Sequence, residues 1–415
     1  MQINSDRLWK RLHAIGEIGK DPDGGISRFS WTTEYRKACV ALMDYARKLN
    51  LSVRMDTVGN MFFRLEGQNK ELPAVLMGSH FDTVPHGGCF DGIAGVMAGM
   101  EVLETLMDQG FKPERSVEVV AFVNEEGTQF LGGTFGSRAV CGMIQKEYVE
   151  ECRDHYTGQR MKDAMLAFDM GLEPDHVEKS KIRPEDYCCF IELHIEQGRH
   201  LLDSGYPVAV VTDIAGIQQM YVELTGVACH AGGMAMRARK DALMAAAHLA
   251  CEVEHLALYS GGKDTRATVG YIKSKPGVHN IVADFCEVPI DFREDNDEIY
   301  NAFSQRLEDY IHDLCNKRGI GYRVVKTLEL HPAHSDPKIV ETMLRSAEEL
   351  EIPHTQMVSY PCHDAVNMER IMPMGMIFLR SSNGGVSHCP EEYTTQEDLT
   401  AGANILLHTI LKLAY

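Results

Sequence analysis

The stretch AVLMGSHFDTVPHGGCFDGIAGV, residues 74–96, carries His80, Asp82 and Asp91 at a spacing suited to metal chemistry. An apolar run of strand type stops at Gly78-Ser79 and delivers His80, at the strand end where a parallel sheet opens a crevice. Asp82 lies two residues on, placed to accept the other ring N–H of His80, and Asp91 lies eleven residues after His80. Pro85, Gly87 and Gly88 break any regular element, so a loop must bring His80 and Asp91 together. Neutral imidazole and carboxylate are ligands for a divalent ion, but the same residues also suit the cap of a polar loop. Three further segments decide between the two.

Ser116 to Val123 reads as a buried strand that ends at Asn124-Glu125-Glu126-Gly127. Two adjacent carboxylates in a loop point different ways, which suits one that binds metal and one that works on water. A solvated acidic turn is the alternative; the apolar strand before the pair and Gly127 after it favour chemistry. A third strand, CFIELHI, carries His194 on the face opposite Leu193 and Ile195 and continues into Glu196-Gln197-Gly198. A fourth, Gly375 to Leu379, is followed by the loop SSNGG and then Ser387-His388-Cys389-Pro390.

The elements that hold these residues alternate between strand and helix. Residues 1–50 read as mainly helical, 51–64 as a strand pair around Val58-Gly59-Asn60, and 92–106 as a helix packed on the sheet. Residues 140–187 are polar with short helices, and a helix from about Thr395 to Leu413 closes the chain. Between Thr212 and Lys326 the pattern changes. Strands at 219–225, 267–273 and 285–292 accompany helices at 240–258 and 297–317, the order of a small α+β sandwich. The expected architecture is α/β: a discontinuous catalytic domain, 1–212 and 327–415, with a central mixed, mostly parallel sheet flanked by helices. An α+β sandwich, 213–326, is inserted into it.

Composition narrows the partners. Of 415 residues 44% are hydrophobic and 24% charged, enough apolar material for two cores. A formal net charge of -19 repels nucleic acid and anionic membrane surfaces, so neither is expected as a partner. The start, MQINSDRLWKRL, has no apolar stretch of signal-peptide length, and the expected location is cytoplasmic. The 12 cysteines repeat no C-x-x-C spacing and read as buried thiols.

Together, His80, Asp91, Glu125-Glu126, His194 and His388 resemble the ligand set of the M20 family of dinuclear metallohydrolases. GSHFDTVPHGGCFDG, NEEG, ELHIEQG and SHCPEE are similar to its amidase branch, which contains N-carbamoyl-L-amino-acid hydrolases, allantoate amidohydrolases and β-ureidopropionases. The resemblance implies that His80 and His194 hold one metal, Glu126 and His388 the other, and that Asp91 bridges. Three imidazoles and two carboxylates suit two Zn²⁺, Mn²⁺ or Co²⁺ ions per subunit, roughly 3.5–4 Å apart. It further implies Glu125 as general base, with Asp82 supporting the catalytic set, and an inserted domain that serves as lid and dimerisation surface.

In that domain CHAGGMAMRARKDA resembles the family's His-Ala-Gly motif, which makes His230 the oxyanion donor. Gly233-Met234-Ala235 stands where the family usually has Thr-Thr-Pro. Asn280 and, thirteen residues later, Arg293 match the residues that hold substrate, Arg293 as a bidentate clamp for a carboxylate. Gln197 and His363, the latter in YPCHDAVNM, complete the expected substrate contacts.

The implied activity is hydrolysis of the carbamoyl C–N bond of an N-carbamoyl-L-amino acid to amino acid, CO2 and ammonia, in a homodimer. Its small-molecule substrate would carry a carboxylate and a carbamoyl or ureido group. Allantoate hydrolysis shares every ligand and is the alternative; Ile217, apolar beside Gly216, points toward hydrophobic side chains instead. A catalytically silent metal-binding relative is the alternative from another class. Glu125 argues against it, because a base is not needed to hold metals.

Overall fold

The computed structural model describes residues 1–415, which divide into two compact units. One comprises Met1–Thr212, His334–Ser359 and His363–Tyr415; the other comprises Asp213–Ala333 and Tyr360–Cys362. In chain order the first unit contributes β1 (Ser52–Met55), β2 (Met61–Leu65), β3 (Ala74–His80), β4 (Val117–Phe122), β5 (Tyr187–Ile195) and β6 (Val208–Ile214). The second contributes β7 (Gly216–Thr225), β8 (Cys229–His230), β9 (Arg266–Val269), β10 (Lys273–Lys275), β11 (Ile281–Val282), β12 (Phe285–Glu294) and β13 (Gly321–Leu330). The chain then forms β14 (Ala333–His334), β15 (His354–Ser359) and β16 (Met374–Leu379).

The first unit is built on a mixed sheet in the order β1-β2-β4-β3-β5-β16-β6-β14, with β15 on β6. Parallel pairing is confined to its centre, β4 to β3, β3 to β5 and β5 to β16. The flanking pairs β1–β2, β2–β4 and β16–β6 are antiparallel, so the expected mostly parallel sheet is parallel only where the site is built. Every residue of β3, β4 and β16 is buried, as strands covered by helices on both faces require. The helix Ile93–Asp108, rich in Ala, Gly and Met, buries nearly its whole length, and Thr33–Lys48 starts where the Thr32 side chain accepts the Tyr35 N–H.

Register aligns the functional strand ends. His80 stands level with Phe122 of β4, and His194 of β5 with Phe378 of β16. The segments following β3, β4, β5 and β16 therefore open along one edge of the sheet. Gly78 is required for this: at φ +151° a Cβ would lie 1.9 Å from the Val120 carbonyl oxygen.

The second unit is an antiparallel sheet, β10-β12-β7-β13 with β9 also on β12, and a short β8–β11 ribbon. Alternation along β12 buries Cys286, Val288, Ile290 and Phe292 in one core with the helices Ala242–Tyr259 and Asp297–Arg318. Asp241 and Asn296 cap those helices by accepting the Met244 and Ile299 N–H groups. Two expectations need correction. A boundary at 326/327 falls inside β13, which pairs with β7 from Gly321 opposite Thr225 to Leu330 opposite Ile217. A register shift between Lys326 and Leu328 disguises that continuity in the sequence. The single strand expected at 267–273 is two, β9 and β10.

Candidate metal centre and substrate-binding residues

Asp91 lies at the centre of the polar cluster in the first unit. Its Oδ1 is 3.1 Å from His80 Nε2 and 3.1 Å from His194 Nε2, while Oδ2 is 3.2 Å from His388 Nε2. His388 Nε2 is also 3.6 Å from Glu126 Oε2, and His80 Nε2 is 3.9 Å from Glu125 Oε2. One carboxylate thus faces two separate ligand groups, His80 with His194 and Glu126 with His388. His80, Asp91 and His194 are buried, whereas the His388 side chain is 49% exposed.

Hydrogen bonds assign the imidazole tautomers. His194 Nδ1–H donates to its neighbour's carbonyl, Ile195 O, at 2.8 Å, and Gly92 N–H donates to His194 Nε2 at 3.2 Å. His80 Nδ1–H donates to the Asp82 carbonyl at 3.2 Å. Both Nδ1 atoms are therefore committed to backbone carbonyls, and both Nε2 atoms face the cluster, 3.4 Å from one another. Gly92 makes this possible, since at φ +64° a Cβ would meet the His80 ring at 2.4 Å. The Asp82 carboxylate, expected to orient His80, is 3.8 Å away, beyond hydrogen-bond range. It accepts the backbone N–H groups of Glu125 at 3.0 Å and Glu126 at 3.2 Å instead.

The charges are strongly coupled. Burial pushes Glu125 well above the usual carboxylate range, and Glu126 and Asp364 add to the rise. Burial and then Asp91 raise Glu126 to about 8. Burial opposes charge on His80, but Glu125, Asp91 and Glu126 outweigh it and hold its pKa well above the ordinary value. The hydrogen bond to Asp91 is the main cause that raises His388 to about 9. Asp91 goes the other way, since His194, His388 and His80 together overcome its burial. Such a buried anionic cluster is neutralised by protons or, equally, by divalent cations.

The residues fit metal ions by a second criterion. Glu126 Oε1 and Gln197 Oε1 are buried without a hydrogen-bond partner, a costly arrangement that a cation or its water resolves. Asn124, Gln197 and His388 all have φ of +55° to +59°, a region sparsely populated by such residues. Each adjoins or supplies a cluster side chain, and strain of this kind collects at functional sites.

Gln197 Nε2 donates to Asp91 Oδ2 at 2.7 Å and stands 3.2 Å from His388 Nε2, so in this structure it contacts the ligand cluster. His363 is buried, its ring edge-on to His194 at 4.4 Å and its Nε2 3.1 Å from Ser359 Oγ. It packs behind His194 instead of presenting an open surface.

In the second unit His230 is exposed, and its Nδ1 accepts the N–H groups of Gly232 and Gly233, both at 3.1 Å. The proton is thereby assigned to Nε2, which is left as a donor. The β8–β11 ribbon brings Asn280 next to it, the Asn280 carbonyl accepting the Ala231 N–H at 2.9 Å. Arg239 braces the same loop through the Met234 and Ala231 carbonyls. Arg293 donates from Nε and Nη2 to Asp291 at 2.9 and 3.3 Å, and from Nη1 to the Tyr360 carbonyl at 2.9 Å. One N–H on each Nη remains, a pair of the geometry that grips a carboxylate. Ile217, by contrast, is only 2% exposed in β7 and shows no open face to a substrate.

Sequence reasoning passed over three contributors. Ser387 and Glu392 join the Asp91 and His388 loops, and Glu192 accepts Ser79 Oγ–H of β3 at 2.7 Å and the Ala365 N–H at 2.9 Å. Glu192 lies two residues before His194 in β5, and strand alternation alone puts both on one face.

A sheet edge that gathers three histidines and several carboxylates, tautomers turned inward, defines a hydrolase of the metal-dependent class. Residues 76–412 match the family described as Peptidase family M20/M25/M40, and the chain belongs to that family. It is 38% identical over 416 residues to an N-carbamoyl-L-amino acid amidohydrolase of Geobacillus stearothermophilus, covering 99% of each chain. It is 33% identical over 403 residues to an allantoate amidohydrolase of Bacillus subtilis, covering 97% of this chain and 96% of that one. A solved amidase of the hydantoinase/carbamoylase family from Burkholderia multivorans superposes with a TM-score of 0.87 at 31% identity, covering 100% and 98%.

Proposed function

We propose that the protein is a dinuclear metal amidohydrolase that cleaves the carbamoyl C–N bond of N-carbamoyl-L-amino acids. The observation that carries the dinuclear reading is Asp91, whose two oxygens face two different ligand groups. His80 and His194 would hold one ion, Glu126 and His388 the second, and Asp91 both; Zn²⁺, Mn²⁺ and Co²⁺ all suit these donors. When bound, such ions lower the pKa of water and polarise a carbonyl.

The chain's own residues then divide the work. Glu125, held by its backbone to Asp82, takes the proton of the attacking water and passes it to the departing nitrogen. His230 offers Nε2–H to the developing oxyanion, and the free N–H pair of Arg293 grips the substrate carboxylate, with Asn280 beside His230. The second unit would act as lid and dimerisation surface. Support for the carbamoyl substrate comes from the relative at 38% identity over nearly the whole chain.

Ammonia release from N-carbamoyl-L-methionine and from allantoate, measured side by side on Mn²⁺- and Co²⁺-reconstituted protein with a chelated control, tests this. Faster, chelator-sensitive turnover of the carbamoyl amino acid is expected. Faster allantoate cleavage would overturn the substrate assignment, and turnover insensitive to chelator would overturn the metal mechanism.

A further inference from the structure

We infer that Glu392 is a positioning residue for the metal centre, whose carboxylate fastens the loop carrying Asp91 to the loop carrying His388. The inference rests on the reading of those two residues as ligands. Glu392 is 3% exposed, and both its oxygens are committed. Oε1 accepts the backbone N–H groups of Phe90 at 3.0 Å and Asp91 at 2.9 Å. Oε2 accepts the Ser387 hydroxyl at 2.6 Å, and that hydroxyl oxygen also lies 3.1 Å from Asp91 Oδ2.

The geometry separates Glu392 from the ligands themselves. Its oxygens face backbone and hydroxyl donors, so it holds the ligand loops while leaving coordination to Asp91 and His388. Three donors converging on one buried carboxylate make short, charge-assisted bonds, which are stronger and more directional than neutral ones. The direction of the Asp91 carboxylate depends on them, because its backbone N–H is one of the three. Errors of about 0.5 Å in such supports degrade a site.

Gly88 supplies an independent sign that this contact is built in. A Cβ there would stand 2.2 Å from Glu392 Oε1 and 2.4 Å from its Cβ. Gly88 does not have a positive φ, so it is the approach of Glu392, and not the backbone conformation, that excludes a side chain. Ser387 completes the link by joining the carboxylate to the residue just before His388.

The test is metal affinity of the full-length protein, by competition with a chromogenic chelator for Zn²⁺, on samples whose folding is checked by circular dichroism. Glu392→Ala should bind about 10–100-fold more weakly, the range found when supports of ligands are removed. Glu392→Gln should stay near wild type, since its amide oxygen accepts both N–H groups and its NH2 donates to Ser387. A merely structural role would lower the melting temperature and leave affinity unmoved.

Folded Glu392→Ala with wild-type affinity overturns the inference. If that variant does not fold, Ser387→Ala decides, with weaker binding expected and unchanged binding overturning it. Wild-type protein that takes up no Zn²⁺ would instead overturn the metal reading on which the inference stands.

Discussion

Asp82 accepts the backbone N–H of Glu125 through Oδ1 at 3.0 Å, so the second residue after the β3 histidine orients the proposed base beyond β4. Its second oxygen holds Glu126 at 3.2 Å. Asp82→Ala removes both bonds inside a buried site and frees the loop carrying both carboxylates. Metal affinity should fall about 10–100-fold, measured by chelator competition. Asp82→Asn keeps one acceptor and should fall between Ala and wild type.

Glu125→Gln preserves side-chain size and removes the proton acceptor. Turnover should drop roughly 10²–10⁴-fold while both ions stay bound, as checked by elemental analysis alongside ammonia release. Substantial activity in this variant would remove Glu125 from its role.

Metal uptake should depend on pH with a defined sign. Burial and Asp91 raise Glu126 to about 8, and His388 is raised to about 9 by its bond to Asp91. Below those values the metal-free site holds protons that an ion must displace, so binding releases protons. Apparent affinity should rise from pH 6 to about 9 and then level off. Calorimetry in buffers of different ionisation enthalpy counts the protons released, and a pH-independent affinity would contradict the assignment.

Cys188 and Cys189 place their sulfurs 3.8 Å apart at the start of β5, beside a register shift in its pairing with β3. The hydrogen bond from Cys189, with Arg115 adding its charge, lowers the Cys188 thiol to about 7. Burial instead raises Cys89 and Cys141 to about 12 and Cys286 to about 11. Iodoacetamide should therefore label half-buried Cys188 near neutral pH well ahead of those three, because the thiolate is the reactive form. Peptide mass spectrometry across pH 6 to 9 would show it, and equal rates at all four would refute the shift.

Much of the site was legible because strand ends are legible. Apolar runs that stop at Gly78, Gly127 and Gly198 mark where side chains emerge, and His80, Glu125, Glu126 and His194 lie within a few residues of those stops. Spacing does not determine direction within a loop. That is why the Asp82 carbonyl and not its carboxylate meets His80, and why Gln197 reaches Asp91. Contacts between distant segments, such as Glu392 with Phe90, leave no local pattern to read. The end of the second unit was hidden for a different reason, since β13 continues through a register shift that breaks its alternation.

β16 lies between β5 and β6, although those two strands follow one another in the chain and β16 comes only after the whole second unit. During synthesis the sheet must therefore wait with an open slot, its two exposed strand edges unpaired while more than a hundred further residues emerge. The strand that fills the slot leads directly to the loop carrying His388, so structural closure of the sheet and completion of the ligand set coincide in a single late event. A chain stalled before that point would carry a half-made sheet whose unpaired strand edges invite pairing with other chains.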